Sequence, residues 1–309
     1  MTHTLPDDAD PARDAARFLG RSDDGLDSPP PAAGVPEGLS WGDPLADGTP
    51  GDDPGPAGPL PPGDAPRSPG YWEVSRTPLT SLLFTLPLVL AYEGGVLLLG
   101  RGSPRNGADV WLRHLLDGLG FGEYFLLPVL TVAGLLVWQF LSQDRWDTSP
   151  RVLPAMAAEC VLWAVVLVGV GRLQQSLWPL PPARLEWDTL RLPADAAFGW
   201  QPLLARLIGY CGAGLYEEVL FRLLMLPVGV WLCARLGCST PAAAAWAILL
   251  SSLLFSGAHY VGPLGDAFSL YSFTFRTVAG MLFAVLFLAR GFGIAAGTHF
   301  FYDLLVGLV

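Results

Sequence analysis

From residue 71 onward the chain alternates long apolar runs with short polar breaks. The runs are continuous and do not alternate residue by residue, which suits helices in lipid and not the strands of a closed barrel. A bilayer core of about 30 Å takes ~20 helical residues. On that measure the pattern predicts spans over 77–99, 124–141, 152–171, 202–222, 242–259, 270–289 and 292–309. A shorter run, 223–236, either continues the fourth span beyond a kink at Pro227 or forms a short helix of its own, giving seven or eight spans. Residues 109–121 (DVWLRHLLDGLGF) read as a short amphipathic helix on the membrane surface, with His114 toward water. The loop 172–200, with Trp178, Trp187 and Trp200, is expected in the headgroup layer. The predicted fold class is all-α, a polytopic membrane helix bundle.

Composition changes this picture at the N-terminal end. Residues 1–70 hold 15 of the 29 prolines and 13 acidic residues against four arginines, a net −9. Such a stretch has too little apolar surface to offset its ordering entropy, so 1–70 is expected to be a disordered Pro/Gly/Asp-rich tail. The transmembrane domain is then 71–309, with 15 acidic residues against 14 arginines. The acidic balance therefore belongs to the tail and says nothing about the charge of a substrate. The opening MTHTLPDDADPARDAARFLG has neither a basic start nor an apolar core, so no secretory signal is read there. Cys160, Cys211, Cys233 and Cys238 lie in or beside apolar segments without close metal-type pairing, and are expected as buried thiols.

The candidate chemistry lies inside the apolar runs. Glu217, Glu218 and Arg222 fall within six positions, and two of the four histidines, His259 and His299, lie in later runs. An ionised side chain at mid-membrane costs roughly 2.5–3.5 kcal/mol on insertion scales. On a helix Glu218 and Arg222, four apart, share a face and can form a structural ion pair. Glu217 points about 100° away and is free to act as a general base. The competing reading is a three-residue ion network that ties helices together. His259 follows Phe255 by four residues, which places that ring beside the imidazole. Asp303 follows His299 by four, so the pair can share a ligand, or the carboxylate can orient the ring. Glu93 and Arg101, which bracket the end of the first span, are expected at the interface. Glu159 and Arg276 lie deeper, as interhelical partners or neighbours of the site.

The segments YEEVLFR, FSGAH and HFFYD resemble the three motifs EExxxR, FxxxH and HxxxN of the CPBP (Abi, or CAAX-protease-like) intramembrane proteases. The resemblance covers roughly residues 200–309, the expected catalytic core. It implies an endopeptidase that hydrolyses a peptide bond near the C-terminal membrane-anchored or lipidated tail of a protein or peptide. Glu217 would activate the water and His259 would help to hold it, while His299 and Asp303 would stabilise the oxyanion. The family has been described both as metalloproteases and as glutamate proteases without metal. The absence of an HExxH helix favours the glutamate type slightly. Glu217, His259 and His299 could nonetheless hold a single divalent metal such as zinc. The family usually has asparagine where this chain has Asp303, and an ionised aspartate cannot donate to an oxyanion. Two other readings stand beside the protease: a non-catalytic immunity or scaffold protein on the same fold, and a proton-coupled transporter. The expected partners are the lipid bilayer and a membrane-anchored protein or peptide, with no nucleic acid. The expected location is the cell (plasma) membrane, as an integral multi-pass protein.

Overall fold

The computed structural model describes residues 70–100, 105–122, 124–144, 146, 148–178, 200–262 and 265–308. The tail expected over 1–70 lies outside them but for Gly70, as do Arg101 and Trp187. Among the described residues every regular element is helical, as the continuous apolar runs predict. A short turn, α1 (Tyr71–Val74), leads into α2 (Pro78–Leu99). Thr77 caps α2 by accepting the Thr80 N–H at 3.3 Å, and Pro78 sits in the first turn, where a missing N–H costs nothing. Then come α3 (Gly107–Gly118), α4 (Leu126–Ser142), α5 (Val152–Leu177) and α6 (Trp200–Gly212). The last helices are α7 (Leu226–Arg235), α8 (Thr240–Ala258), α9 (Leu270–Arg290) and α10 (Phe292–Leu308).

Of these, α2, α5, α8 and α9 are long and apolar enough to cross a membrane, by length and composition. The remaining expected spans exist as helices of different extent. Both α4 and α10 have 17 residues. The run 223–236 contains the short helix α7 (Leu226–Arg235), one of the two forms expected for it. Between α6 and α7 the chain stays helical but widens into π winding over Ala213–Glu217 and again over Val219–Met225. Pro227 follows in the first turn of α7, where its lack of an N–H is least costly. π segments of this kind are rare and concentrate at functional sites. Here they flank Glu218.

Outer faces are apolar, as lipid requires. On α5, Leu162 is 62% exposed and Val165 54%. A contiguous apolar face of that kind is not stable against water. Between helices in lipid, close packing and interhelical hydrogen bonds replace removal from water as the cohesive force. The final helix shows why its sequence is rich in small residues. α10 is the central rod of the bundle, packed against α2, α5, α9 and the first π segment, with Phe292, Ile294, Ala295 and Ala296 fully buried. A Cβ on Gly297 would come within 2.6 Å of the Phe84 ring and 2.7 Å of Cys160 Sγ. On the facing strand of helix, a Cβ on Gly214 would lie 2.9 Å from the Ala296 carbonyl oxygen and 2.8 Å from Phe300 Cβ. Glycine at 214 therefore lets the π segment touch the backbone of α10, which sets Glu217 and Glu218 beside His299.

Other buried charges tie the helices together. Arg290, at the end of α9, meets both carboxylate oxygens of Glu159 on α5 at 2.7 and 2.8 Å and lies 3.9 Å over the Trp72 ring of α1. Arg276 pairs with Asp266 in the turn before α9. Glu159 thus has an interhelical partner, one of the two roles expected for it, while Arg276 pairs with a residue of the turn and not with another helix. Glu93 is buried within the protein, where it accepts from Tyr216 at 2.6 Å and pairs with Arg113 at 3.0 Å. All four cysteines are free thiols; Cys160, Cys211 and Cys233 are buried as expected, whereas Cys238, in the turn after α7, is only half-buried.

Candidate active site

The first π segment carries Glu217, and the intervening residue is Glu218. α8 ends at Ala258, so His259 is its C-terminal cap, while α10 carries His299 and Asp303. These elements meet at one place. The Glu217 carboxylate oxygen Oε2 lies 3.9 Å from Nε2 of His259 and 3.9 Å from Nε2 of His299. This Oε2 is buried and has no hydrogen-bond donor among the described residues. The other oxygen, Oε1, accepts from the Asn106 side-chain amide at 2.8 Å.

Each histidine is held through its other nitrogen. His259 Nδ1 lies 2.9 Å from the carbonyl oxygen of Phe255, which accepts only if Nδ1 carries the proton. His299 Nδ1 lies 2.8 Å from Glu218 Oε1. Both rings therefore turn Nε2 toward Glu217. Aromatic rings fix their planes. Phe283 stacks on His299 at 4.6 Å, and Phe255 meets His259 edge-on at 5.1 Å and His299 at 5.8 Å. The expected role of Phe255 beside the imidazole thus extends to both imidazoles.

Glu218 and Arg222 pair as expected, at 3.0 Å, with Arg222 1% and Glu218 0% exposed. The contact is a close ion pair and not an aligned hydrogen bond, since Arg222 Nη1 has no hydrogen-bond acceptor. Arg222 donates from Nη2 to the Gly280 carbonyl at 3.1 Å and lies 4.4 Å over the Phe255 ring. Glu218 is more than half of an ion pair, because it also holds His299. The sequence offered Asp303 as the orienting carboxylate, yet its Oδ2 lies 3.8 Å from His299 Nε2, beyond direct hydrogen bonding. Asp303 instead brings its carboxylate to the same His299 nitrogen that faces Glu217.

Reading the motifs in isolation missed three contributors. Asn106 reaches Glu217 from the cap of α3, a segment with no motif. Its one sequence signal was an asparagine directly ahead of an amphipathic run, an N-cap pattern, and its Oδ1 does accept the Ala108 N–H at 2.9 Å. Glu93 stands behind the site through Tyr216, the neighbour of Glu217. Phe283, which stacks on His299, carried no signal beyond being apolar. His114 faces outward as expected.

Three donors, Glu217 Oε2 and the two Nε2 atoms, are chemically suited to a divalent metal, and both histidines use Nδ1 as metal-binding histidines do. The geometry does not match. Two ligands on one tetrahedral zinc lie roughly 3.4 Å apart, given bonds of about 2.0–2.1 Å. The gaps here are wider, and among the described residues no group of three His, Cys, Asp or Glu side chains is placed to hold a metal ion.

Residues 199–305 match the family model described as type II CAAX prenyl endopeptidase Rce1-like. No curated protein and no solved structure matches the chain. The matched segment runs from the start of α6 to near the end of α10, and so contains Glu217, Glu218, Arg222, His259, His299 and Asp303. Over residues 199–305 this chain is therefore similar to the Rce1-like type II CAAX prenyl endopeptidase family, the CAAX-protease-like group that its three motifs resemble.

Proposed function

We propose that this protein is an intramembrane endopeptidase that hydrolyses a peptide bond near the C-terminal membrane-anchored or lipidated tail of a protein or peptide, using water activated by Glu217. The single observation that carries the reading is the convergence on Glu217 Oε2. Two imidazole nitrogens approach it at 3.9 Å each, too far for direct hydrogen bonds and close to the span that one bridging water covers.

The chemistry follows from which atoms are committed. Asn106 occupies one oxygen of Glu217, so Oε2 takes the proton of the attacking water. The His259 Nδ1–H is given to Phe255, which leaves Nε2 as an acceptor for the second water hydrogen. The water oxygen attacks the peptide carbonyl, and the negative charge moves to the carbonyl oxygen. His299 faces three carboxylates, Glu217, Glu218 and Asp303, against the single guanidinium of Arg222. That surplus of negative charge suits a doubly protonated His299 whose Nε2–H meets the oxyanion. The proton held by Glu217 then passes to the leaving nitrogen as the carbon–nitrogen bond breaks, giving a carboxylate and an amine. No step requires a metal, and none is routed through one.

A second feature supports an apolar substrate flank. A cavity of about 590 Å³ opens between α3, the second π segment and α8, lined by Trp111, Leu115, Leu220, Phe221, Met225 and Ala258. It adjoins the site at Phe221 and Ala258, the neighbours of Arg222 and His259. An apolar chain lying there needs no polar partner, which fits a membrane-anchored or lipidated tail.

The test is cleavage of a library of membrane-tethered C-terminal peptides by the purified protein in detergent. Cleavage is expected to persist in a strong chelator. Loss in chelator with recovery on added zinc would replace the metal-free mechanism with a metalloprotease. Asp303→Asn is expected to cleave at least as fast as wild type, because the amide supplies a donor that an ionised carboxylate lacks. A fall of more than tenfold would instead give the carboxylate itself a role. The alternative of a non-catalytic protein on the same fold rests on Asp303 and predicts no cleavage by either form.

A further inference from the structure

Asn106 stands outside the segment that carries the family match, and its amide lies closer to the Glu217 carboxylate than either histidine does. Its side-chain amide and its backbone N–H are engaged, and its backbone carbonyl accepts the Val110 N–H at 3.1 Å. The amide Nδ2 donates to Glu217 Oε1 at 2.8 Å, Oδ1 accepts the Ala108 N–H at 2.9 Å, and the backbone N–H donates to the Tyr92 hydroxyl at 3.2 Å. The hydroxyl of Tyr92 in turn donates to Asp109 at 2.9 Å, and Asp109 is held between Arg105 and Arg113 at 3.0 and 2.6 Å. Tyr92 and Asp109 are fully buried. The start of α3 is therefore anchored from behind, with the Asn106 side-chain amide aimed at the carboxylate.

Resting on the reading of Glu217 as the base, we infer that Asn106 is a positioning residue for Glu217: it binds Oε1, fixes the rotamer, and leaves Oε2 as the only oxygen facing the two histidines. The consequence is a composite site, in which the sequence before residue 199 supplies a group the reaction needs. Without that donor the carboxylate can rotate and present either oxygen, and misplacement of about 1 Å costs roughly 10²-fold in rate.

The capping and positioning roles separate cleanly by substitution. Serine and aspartate cap helices about as well as asparagine does. Neither replaces the amide donor: serine is too short to reach Glu217, and an ionised aspartate sets an acceptor against the Glu217 oxygen. The experiment measures kcat and KM of the purified full chain, per folded molecule, for wild type, Asn106→Ser, Asn106→Asp and Glu217→Gln. The expected result is a fall in kcat of roughly 10- to 100-fold in Asn106→Ser and at least as much in Asn106→Asp, with KM within about threefold and thermal unfolding near wild type. Silent Glu217→Gln together with wild-type kcat in both Asn106 variants would leave the base assignment intact and overturn the positioning role. Lowered thermal stability with unchanged kcat per folded molecule would do the same, reducing Asn106 to a cap. Active Glu217→Gln, or an inactive wild type, would overturn the underlying reading and the role of Asn106 with it.

Discussion

Glu217→Gln is expected to lower kcat for peptide cleavage by roughly 10²–10⁴-fold, the range that a positioned general base contributes. The substitution is nearly isosteric. Its amide still offers one oxygen to Asn106, so the α3 contact at 2.8 Å can persist while the base is lost. Because Glu217 bears on the attacking water and not on the substrate's apolar flank, the loss belongs in kcat, with KM little changed. Thermal unfolding of the detergent-solubilised protein should move little, since glutamine keeps the side chain's shape and its Asn106 contact while the desolvation cost of one buried charge is removed. A variant that retains wild-type kcat would leave Glu217 as a structural carboxylate. A variant inactive only because it unfolds would be recognised by a collapsed melting transition.

The second large effect is on stability. Arg222→Ala is expected to destabilise the bundle by about 3–5 kcal/mol, the usual cost of breaking a buried ion pair by removing one partner. Arg222 is 1% exposed, and its loss leaves Glu218 buried without its cation, frees the Gly280 carbonyl, and removes the guanidinium from over Phe255. For a chain of this size that corresponds to a fall of roughly 10 °C in melting temperature. Glu218 also holds His299 Nδ1, so activity should fall with stability. The double variant Arg222→Met with Glu218→Gln should recover part of the stability, because the uncompensated charge goes with its partner. Recovery of stability without recovery of activity would separate the two duties of Glu218. A melting temperature within 2 °C of wild type for Arg222→Ala would show that the pair carries little of the fold.

How far these residues could be read from the sequence depends on how local their geometry is. The ion pair of Glu218 and Arg222 needed only helical spacing, and it survives even though the chain there is π-wound. The contact of Phe255 with His259 likewise follows from a spacing of four on α8. The helical segments were legible because lipid demands continuous apolar runs and internal backbone pairing. The motifs located the six candidate site residues without saying how they meet.

What the sequence hid was set by tertiary packing. Spacing arguments assume a regular helix, and the π winding around Glu218 shifts the direction of every side chain after it. Nothing in YEEVLFR announces that winding. The approach of Gly214 to the backbone of α10 brings Glu218 to His299, a contact between residues 81 apart in the chain. Asn106 and Glu217 are 111 apart, joined only by the docking of α3. Glu93 sits near the end of an apolar run, and its burial depends on Tyr216 and Arg113 arriving from two other elements.

The most direct test is mass spectrometry of a membrane-tethered C-terminal peptide after incubation with the purified protein in water enriched in ¹⁸O. Hydrolysis through Glu217-activated water predicts a cut near the membrane-anchored end, with one ¹⁸O in the newly formed carboxylate, and neither fragment nor label with Glu217→Gln. Intact peptide after incubation with the wild-type protein, or the same labelled fragment from Glu217→Gln, would contradict it.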